Sequence, residues 1–229
     1  MSTVPLPTQD DALHVLPAVP VPLPPPLRWL VALLAFGVAG YALFAYGTRP
    51  LGSLVHPDMM ASFRGHPWLV YGHVFAAAVA LAIGPFQFVT GGRRSAWHRA
   101  LGRIYLGVGV GLGGACGLVL AFSAHGGGVA QAGFALLALA WLGTGARALT
   151  AILRGAIDAH RRWMLRNYAL TLAAVTLRLY LPASMLAGLD FDRSYAAIAW
   201  LCWVPNLLVA QWLLERAPTR LTGVGYRST

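Results

Sequence analysis

Six stretches of this chain, at about 29–47, 68–90, 104–123, 129–150, 163–187 and 195–214, are apolar over the length an α-helix needs to cross a bilayer, which is roughly 20 residues. Short polar or glycine-bearing connectors separate them, and the six together take up most of the chain. No space is left for a second folded domain. Only 10% of the residues are charged, against about 25% in soluble domains, which argues for the same conclusion. The expected fold class is all-α: a polytopic membrane helical bundle of six transmembrane helices over residues 28–214.

The net charge of +10 would point to nucleic acid if the basic residues formed a patch, but their distribution follows the apolar stretches instead. All seventeen are arginine. Arg28, Arg93, Arg94, Arg99, Arg103, Arg154, Arg161, Arg162, Arg166, Arg216, Arg220 and Arg227 flank one side of the expected bundle, and Arg49, Arg64 and Arg193 the other. Arg147 and Arg178 remain near or inside the membrane. Such asymmetry places the arginine-rich side, and with it both termini, in the cytoplasm. The expected location is therefore the inner, cytoplasmic membrane, with the lipid bilayer as a partner and no nucleic acid.

Residues 1–27 hold eight prolines, which favours an extended, disordered cytoplasmic tail; 215–229 reads as a short basic tail. With no basic region at its start and no convincing cleavage site, the first apolar stretch is expected to be a retained helix. Cys116 and Cys202 fall inside apolar stretches at a spacing that matches no metal motif.

The stretch "DAHRRWMLRNYALTLAAVTLRLYLP", from residue 158, carries the most informative polar pattern. At 100° per residue, Asn167, Thr171 and Arg178 fall within about 20° of His160, forming one polar stripe about 27 Å long. A charge in mid-membrane costs about 2.5–3.5 kcal/mol on the gentler scales, so Arg178 is expected to face the bundle interior. It either pairs with helix carbonyls near a break at Pro182 or meets an anionic group or ligand. On the second stretch His73, Ala77, Ala80, Gly84 and Gln87 share a face, whose small residues admit either a close helix or a flat ligand. Gly109, Gly113 and Gly117 repeat at four-residue steps in the third, where His98, Gly102, Tyr105 and Cys116 share the Gly109 face. In the sixth, Pro205 is expected to kink the helix, with Asn206 and Gln211 satisfying groups inside the bundle.

The histidines sort by level. His98 and His160 start the third and fifth stretches at the arginine-rich side. His73 lies one and a half turns inside the other boundary, with His125, His56 and His66 in connectors on that side. Two imidazoles from two helices at one level suit the axial positions of a b-type haem, and nearby arginines would pair with its propionates. The candidate pairs are His98 with His160, and His73 with His125 or His66. Each histidine also has a plain alternative, a contact to lipid headgroups or a hydrogen bond within the bundle. The candidate metal-ligand set is thus His98, His160, His73 and His125, and the candidate cofactor-binding set is Arg178, Gln87, Arg166, Asn206 and Arg99. Metal-dependent hydrolysis fits less well, since it needs about three ligands around one ion. Without lysine, a retinal Schiff base is excluded.

Taken together, "HRALGRIY", "HRRWMLRNYALTLAAVTLRLYLP" and "WVPNLLVAQW" resemble a bacterial family of predicted membrane proteins, the domain of unknown function 2306, over roughly residues 35–214. The resemblance implies a six-helix membrane fold with a shared polar interior. Its pattern includes the positions of His73, Gln87, His98, Arg99, Gly102, Arg103, Tyr105, His160, Arg166, Arg178 and Asn206, and usually has glutamate where this chain has Gln211. A looser similarity is to di-haem b-type transmembrane cytochromes, although the fourth stretch here has no histidine. The leading functional expectation is a b-type haem protein passing electrons, with a quinone near Arg178 and Asn206. The alternatives are a non-redox binder or transporter of a small anionic or lipid-like ligand, and an accessory subunit of a homo-oligomer or membrane complex.

Overall fold

The computed structural model describes residues 24–89 and 95–216. The expected tails 1–27 and 215–229 lie outside the described residues apart from 24–27 and 215–216. Among the described residues ten α-helices follow one another: α1 Pro25–Thr48, α2 Pro57–Gly65, α3 Pro67–Val89, α4 Ala96–Ile104, α5 Gly113–Ala121, α6 Gly127–Leu153, α7 Ile157–Thr171, α8 Ala173–Leu186, α9 Phe191–Leu201 and α10 Val204–Arg216. A π-helical stretch, Tyr105–Leu112, joins α4 to α5. Among the described residues there is no strand.

These elements make six spans long and apolar enough to cross a membrane: Pro25–Thr48, Pro67–Gln87, Ala96–Ala121, Gly127–Leu153, Ile157–Leu186 and Phe191–Arg216. The third and fifth begin six to eight residues earlier than apolarity alone suggests, because their first turns are charged yet helical. Ser95 caps α4 by accepting from the His98 N–H at 3.1 Å. One end of the bundle, the terminal end, carries the first and last described residues. The other, the loop end, carries the first, third and fifth connectors, and α2 lies in the first of these. Helix α2 escaped the apolar reading because its nine residues, with Asp58, Ser62 and Arg64 among them, are too few and too mixed to cross a membrane. Its N-cap His56 accepts from the Asp58 N–H at 3.4 Å.

Side-chain size is sorted as membrane packing requires. Helix α1 buries Ala32, Ala35, Ala39, Ala42 and Ala45 and turns Leu33, Phe36, Leu43 and Phe44 outward. Lipid is as apolar as leucine, so helices gain by close approach of small residues rather than by hiding large ones. The third span shows the limit of this: a Cβ on Gly109 would sit 2.7 Å from that of Ala80, and one on Gly117 2.7 Å from His73 Nδ1. The small strip on α3 is therefore closed by another helix at Ala80, while Ala77 and His73 of the same strip line a cavity. At Gly84 the space is taken by the Tyr168 ring.

The fifth span breaks at Leu172, between α7 and α8. Its inner half α7 packs along α6 and α10, whereas α8 leans toward α9 and α1. Two threonines bracket the break: Thr171 Oγ1 donates to Asn167 O at 3.0 Å, and Thr176 Oγ1 to Leu172 O at 3.2 Å. Hydroxyls bonded four residues back bend helices. The expected break at Pro182 is not there, since α8 runs through that proline. The sixth span turns between α9 and α10, leaving Pro205 in the first turn of α10, where proline is tolerated. Asn206 Nδ2 fills the freed acceptors, bonding Cys202 O and Thr176 Oγ1, each at 3.0 Å.

Candidate functional site

Where α7 still touches α6, the bundle is held by buried polar side chains. Tyr105 OH donates to Asn167 Oδ1 at 2.8 Å and lies 2.8 Å from Thr171 Oγ1. Trp141 Nε1 donates to Thr171 Oγ1 at 2.9 Å. Asn167 Nδ2 donates to Trp141 O and to Thr144 Oγ1, both at 2.8 Å. Three spans are joined, and Tyr105 and Asn167 are fully buried. Half of the polar stripe foreseen on the fifth span is thus spent on helix association.

Beyond this network toward the loop end, the bend at Leu172 separates α8 from α6. A cavity of about 680 Å³ opens between them, with Trp141 and Thr171 at its floor. Its walls are largely apolar, from residues such as Phe134, Leu137, Leu177 and Leu181. Volume and apolar lining are those of a small-molecule pocket with a few polar groups to fix orientation.

The cavity's polar lining includes Arg178 and His73. Arg178 lines the cavity and donates from Nη1 to Ala174 O, one turn back, at 3.1 Å. A guanidinium carries five donors. Among the described residues the ion pairs are His56–Asp58, His125–Asp192 and Arg161–Asp158, and none involves Arg178. The acidic residues of the chain are Asp10, Asp11, Asp58, Asp158, Asp190, Asp192 and Glu215. Among the described residues, none of these lies in the interior of a span. Tyr46, Tyr41 and His73 are among the groups within electrostatic reach. The His73 Nδ1 lies 2.8 Å from Gly113 O. A carbonyl only accepts, so Nδ1 holds the proton and the neutral ring keeps a lone pair on Nε2.

At the cavity mouth stand His56 and His125. His125 Nε2 is 2.6 Å from Asp192 Oδ1, and His56 Nδ1 is 3.2 Å from Asp58 Oδ2. The Phe191 ring stacks on His56 with centroids 3.6 Å apart and tilts against His125 at 5.6 Å.

The other candidates lie toward the terminal end. Arg166 grips Gln211 Oε1 through Nε at 3.1 Å and Nη2 at 2.8 Å. Gln211 passes the contact on to Glu215 at 2.7 Å. Thus the carboxylate that the resemblance puts at 211 sits one turn later. The Arg166 and Arg147 guanidinium carbons lie 4.8 and 4.9 Å from the Trp163 ring centroid. Arg99 is exposed on α4. Gln87 is half-buried on α3, with Oε1 3.7 Å from where a Gly102 Cβ would stand. Asn206 is half-buried and bonded as described above. His160 Nδ1 is 2.9 Å from Ala148 O, and His98 is half-buried on α4.

A haem at the loop end would need two imidazole nitrogens facing one another. His73 offers one in the required tautomer. His125 reaches the same cavity but holds Asp192 with Nε2, and His66 is exposed at the end of α2. The residues present fit half of such a site. Sequence reasoning missed Asp58 and Asp192, since nothing in their spacing from His125 signals that three connectors meet. It also missed Tyr105 and Trp141 as partners of Asn167. Trp200 and Trp203 are packing residues whose indole N–H groups bond Val129 O at 3.1 Å and Ala199 O at 3.0 Å.

No curated protein and no solved structure matches the chain, so the likeness to di-haem cytochromes gains no support from either. Residues 70–214, well over half of the chain and including the Arg178 cavity's α3, α6 and α8 walls, match the family model described as predicted membrane protein (DUF2306). The chain belongs to that family of multi-span membrane proteins.

Proposed function

We propose that the protein binds a small amphiphile with one anionic headgroup, such as a carboxylate or phosphate monoester, in the cavity at the loop end. Arg178 is the counter-charge. The observation that carries this reading is the mismatch between charge and partners: a guanidinium in the interior of a span, facing 680 Å³ of largely apolar space, with one hydrogen bond and no ion pair among the described residues. Burying an unpaired cation is costly, and an external anion offsets the cost. Apolar walls suit the rest of the molecule. By the arginine distribution the loop end faces away from the cytoplasm, so the ligand would enter from the outside of the cytoplasmic membrane.

The test is thermal unfolding of the protein in lipid nanodiscs, with octanoate and with the uncharged octanol. Stabilisation by octanoate but not octanol, lost in Arg178→Gln, supports the proposal. Equal responses from both compounds, or from both proteins, refute it. The redox alternative keeps one supporting observation, the Nδ1-bonded tautomer of His73. It predicts a Soret band that sharpens on dithionite reduction in protein expressed with ample haem, and a flat spectrum removes it.

A further inference from the structure

Three segments far apart in sequence converge at the mouth of the cavity. Asp58 lies in the first turn of α2, His125 in the connector between α5 and α6, and Asp192 in the first turn of α9. One ligand atom from each lies within 4.8 Å of the others. We propose that Asp58, His125 and Asp192 form a binding site for one divalent cation of the zinc class. The proposal stands independently of what the cavity holds.

Chemistry and geometry both favour it. The set is mixed, two carboxylates and an imidazole, and such a set at three positions with a fourth left to water is an open zinc site. Imidazole among so few ligands favours zinc over magnesium or calcium, which take oxygen shells of six or more. Ligand atoms about 2.1 Å from a tetrahedral ion are about 3.4 Å apart, so a group now spanning 4.8 Å needs to close by little more than 1 Å, while the 2.6 Å contact of His125 with Asp192 opens by about 0.8 Å as the ion replaces the shared proton. Asp58 and Asp192 are exposed, with side-chain exposures of 51% and 67%, and they can make that adjustment by rotation. A divalent ion would also neutralise two carboxylates that otherwise repel one another.

The imidazole is held for the task. Phe191, next to Asp192, tilts against His125, and Tyr195 meets the same imidazole edge-on at 5.9 Å. Ligand orientation by surrounding groups is a regular part of metal sites. His56, stacked on the same Phe191 and 3.2 Å from Asp58 Oδ2, is the nearest further donor. An ion here ties the first and third connectors to the start of α9. It would brace the rim of the cavity, which His56 and His125 line.

The test uses untagged, chelator-treated full-length protein in nanodiscs. Zn²⁺ binding is measured by titration calorimetry, and Co²⁺ by its visible absorption. One Zn²⁺ per chain, a cobalt spectrum typical of four-coordination, and a loss of affinity of about 100-fold in His125→Ala and in Asp192→Asn are expected. The first-connector ligand is tested separately by Asp58→Asn. No binding by the native chain overturns the proposal. So does binding that survives all three substitutions, which would place the ion elsewhere. If the cluster is instead held by direct contacts between His125 and the carboxylates alone, Zn²⁺ leaves the thermal stability of the native chain unchanged. That result also overturns it.

Discussion

Asn167→Ala removes the centre of the buried polar network, and the geometry sets the size of the loss. Asn167 accepts from Tyr105 and donates to Trp141 O and Thr144 Oγ1, so three interhelical bonds vanish. None of the partners is orphaned. Tyr105 OH keeps Thr171 Oγ1 at 2.8 Å, and Thr144 Oγ1 keeps its own helix's Ala140 O at 2.7 Å. The heavy penalty for an unsatisfied buried group therefore does not apply. Measured interhelical bonds in membranes average about 0.6 kcal/mol each, so the network share is about 2 kcal/mol. A modest cavity term from the missing amide adds to it. Unfolding in bicelles or by denaturing detergent should show this loss, and a double-mutant cycle with Tyr105→Phe should give a coupling of about 0.6 kcal/mol. A loss under about 0.5 kcal/mol would refute the view that this network fastens the fifth span to the third and fourth.

Other perturbations discriminate equally well. Gly109→Ala drives a methyl group into Ala80 and should cost about 1–3 kcal/mol. Gly107→Ala, two residues away with nothing within 4 Å of the added carbon, should cost nothing in the same unfolding assay. Gln211→Glu gives Arg166 a carboxylate but sets it against Glu215, so the single change should be nearly neutral. In a Glu215→Gln background the same substitution should stabilise by about 0.2–1 kcal/mol, read from thermal unfolding. Thr171→Val removes the acceptor of Trp141 Nε1 and one of the two hydroxyls at the bend. It should lower stability by about 1–3 kcal/mol through the stranded indole N–H.

The spans were legible because lipid imposes a long, simple requirement that composition cannot hide. The polar stripe of the fifth span was legible too, since a polar residue at helical spacing in an apolar run has to face inward. Its division of labour was not. Asn167 and Thr171 build the floor while Arg178 faces the space above it, and that split depends on the bend at Leu172. The bend comes from two threonine hydroxyls rather than from the proline that sequence reading singles out. Glycine spacing on the third span identified a close helix contact but not its partner. Of the His125–Asp58–Asp192 cluster only the histidine stood out, because the cluster is made by three segments whose meeting depends on the whole bundle.

The central claim is that Arg178 waits for an anion from outside the chain. Titration calorimetry of octanoate into nanodisc-embedded protein, with empty nanodiscs subtracted, addresses it directly. Hydrogen bonds to a charged group are worth about 1.5–3 kcal/mol, so Arg178→Gln should weaken binding about 10- to 150-fold, with octanol affinity unchanged. Octanoate affinity that is the same with glutamine at 178 would contradict the account.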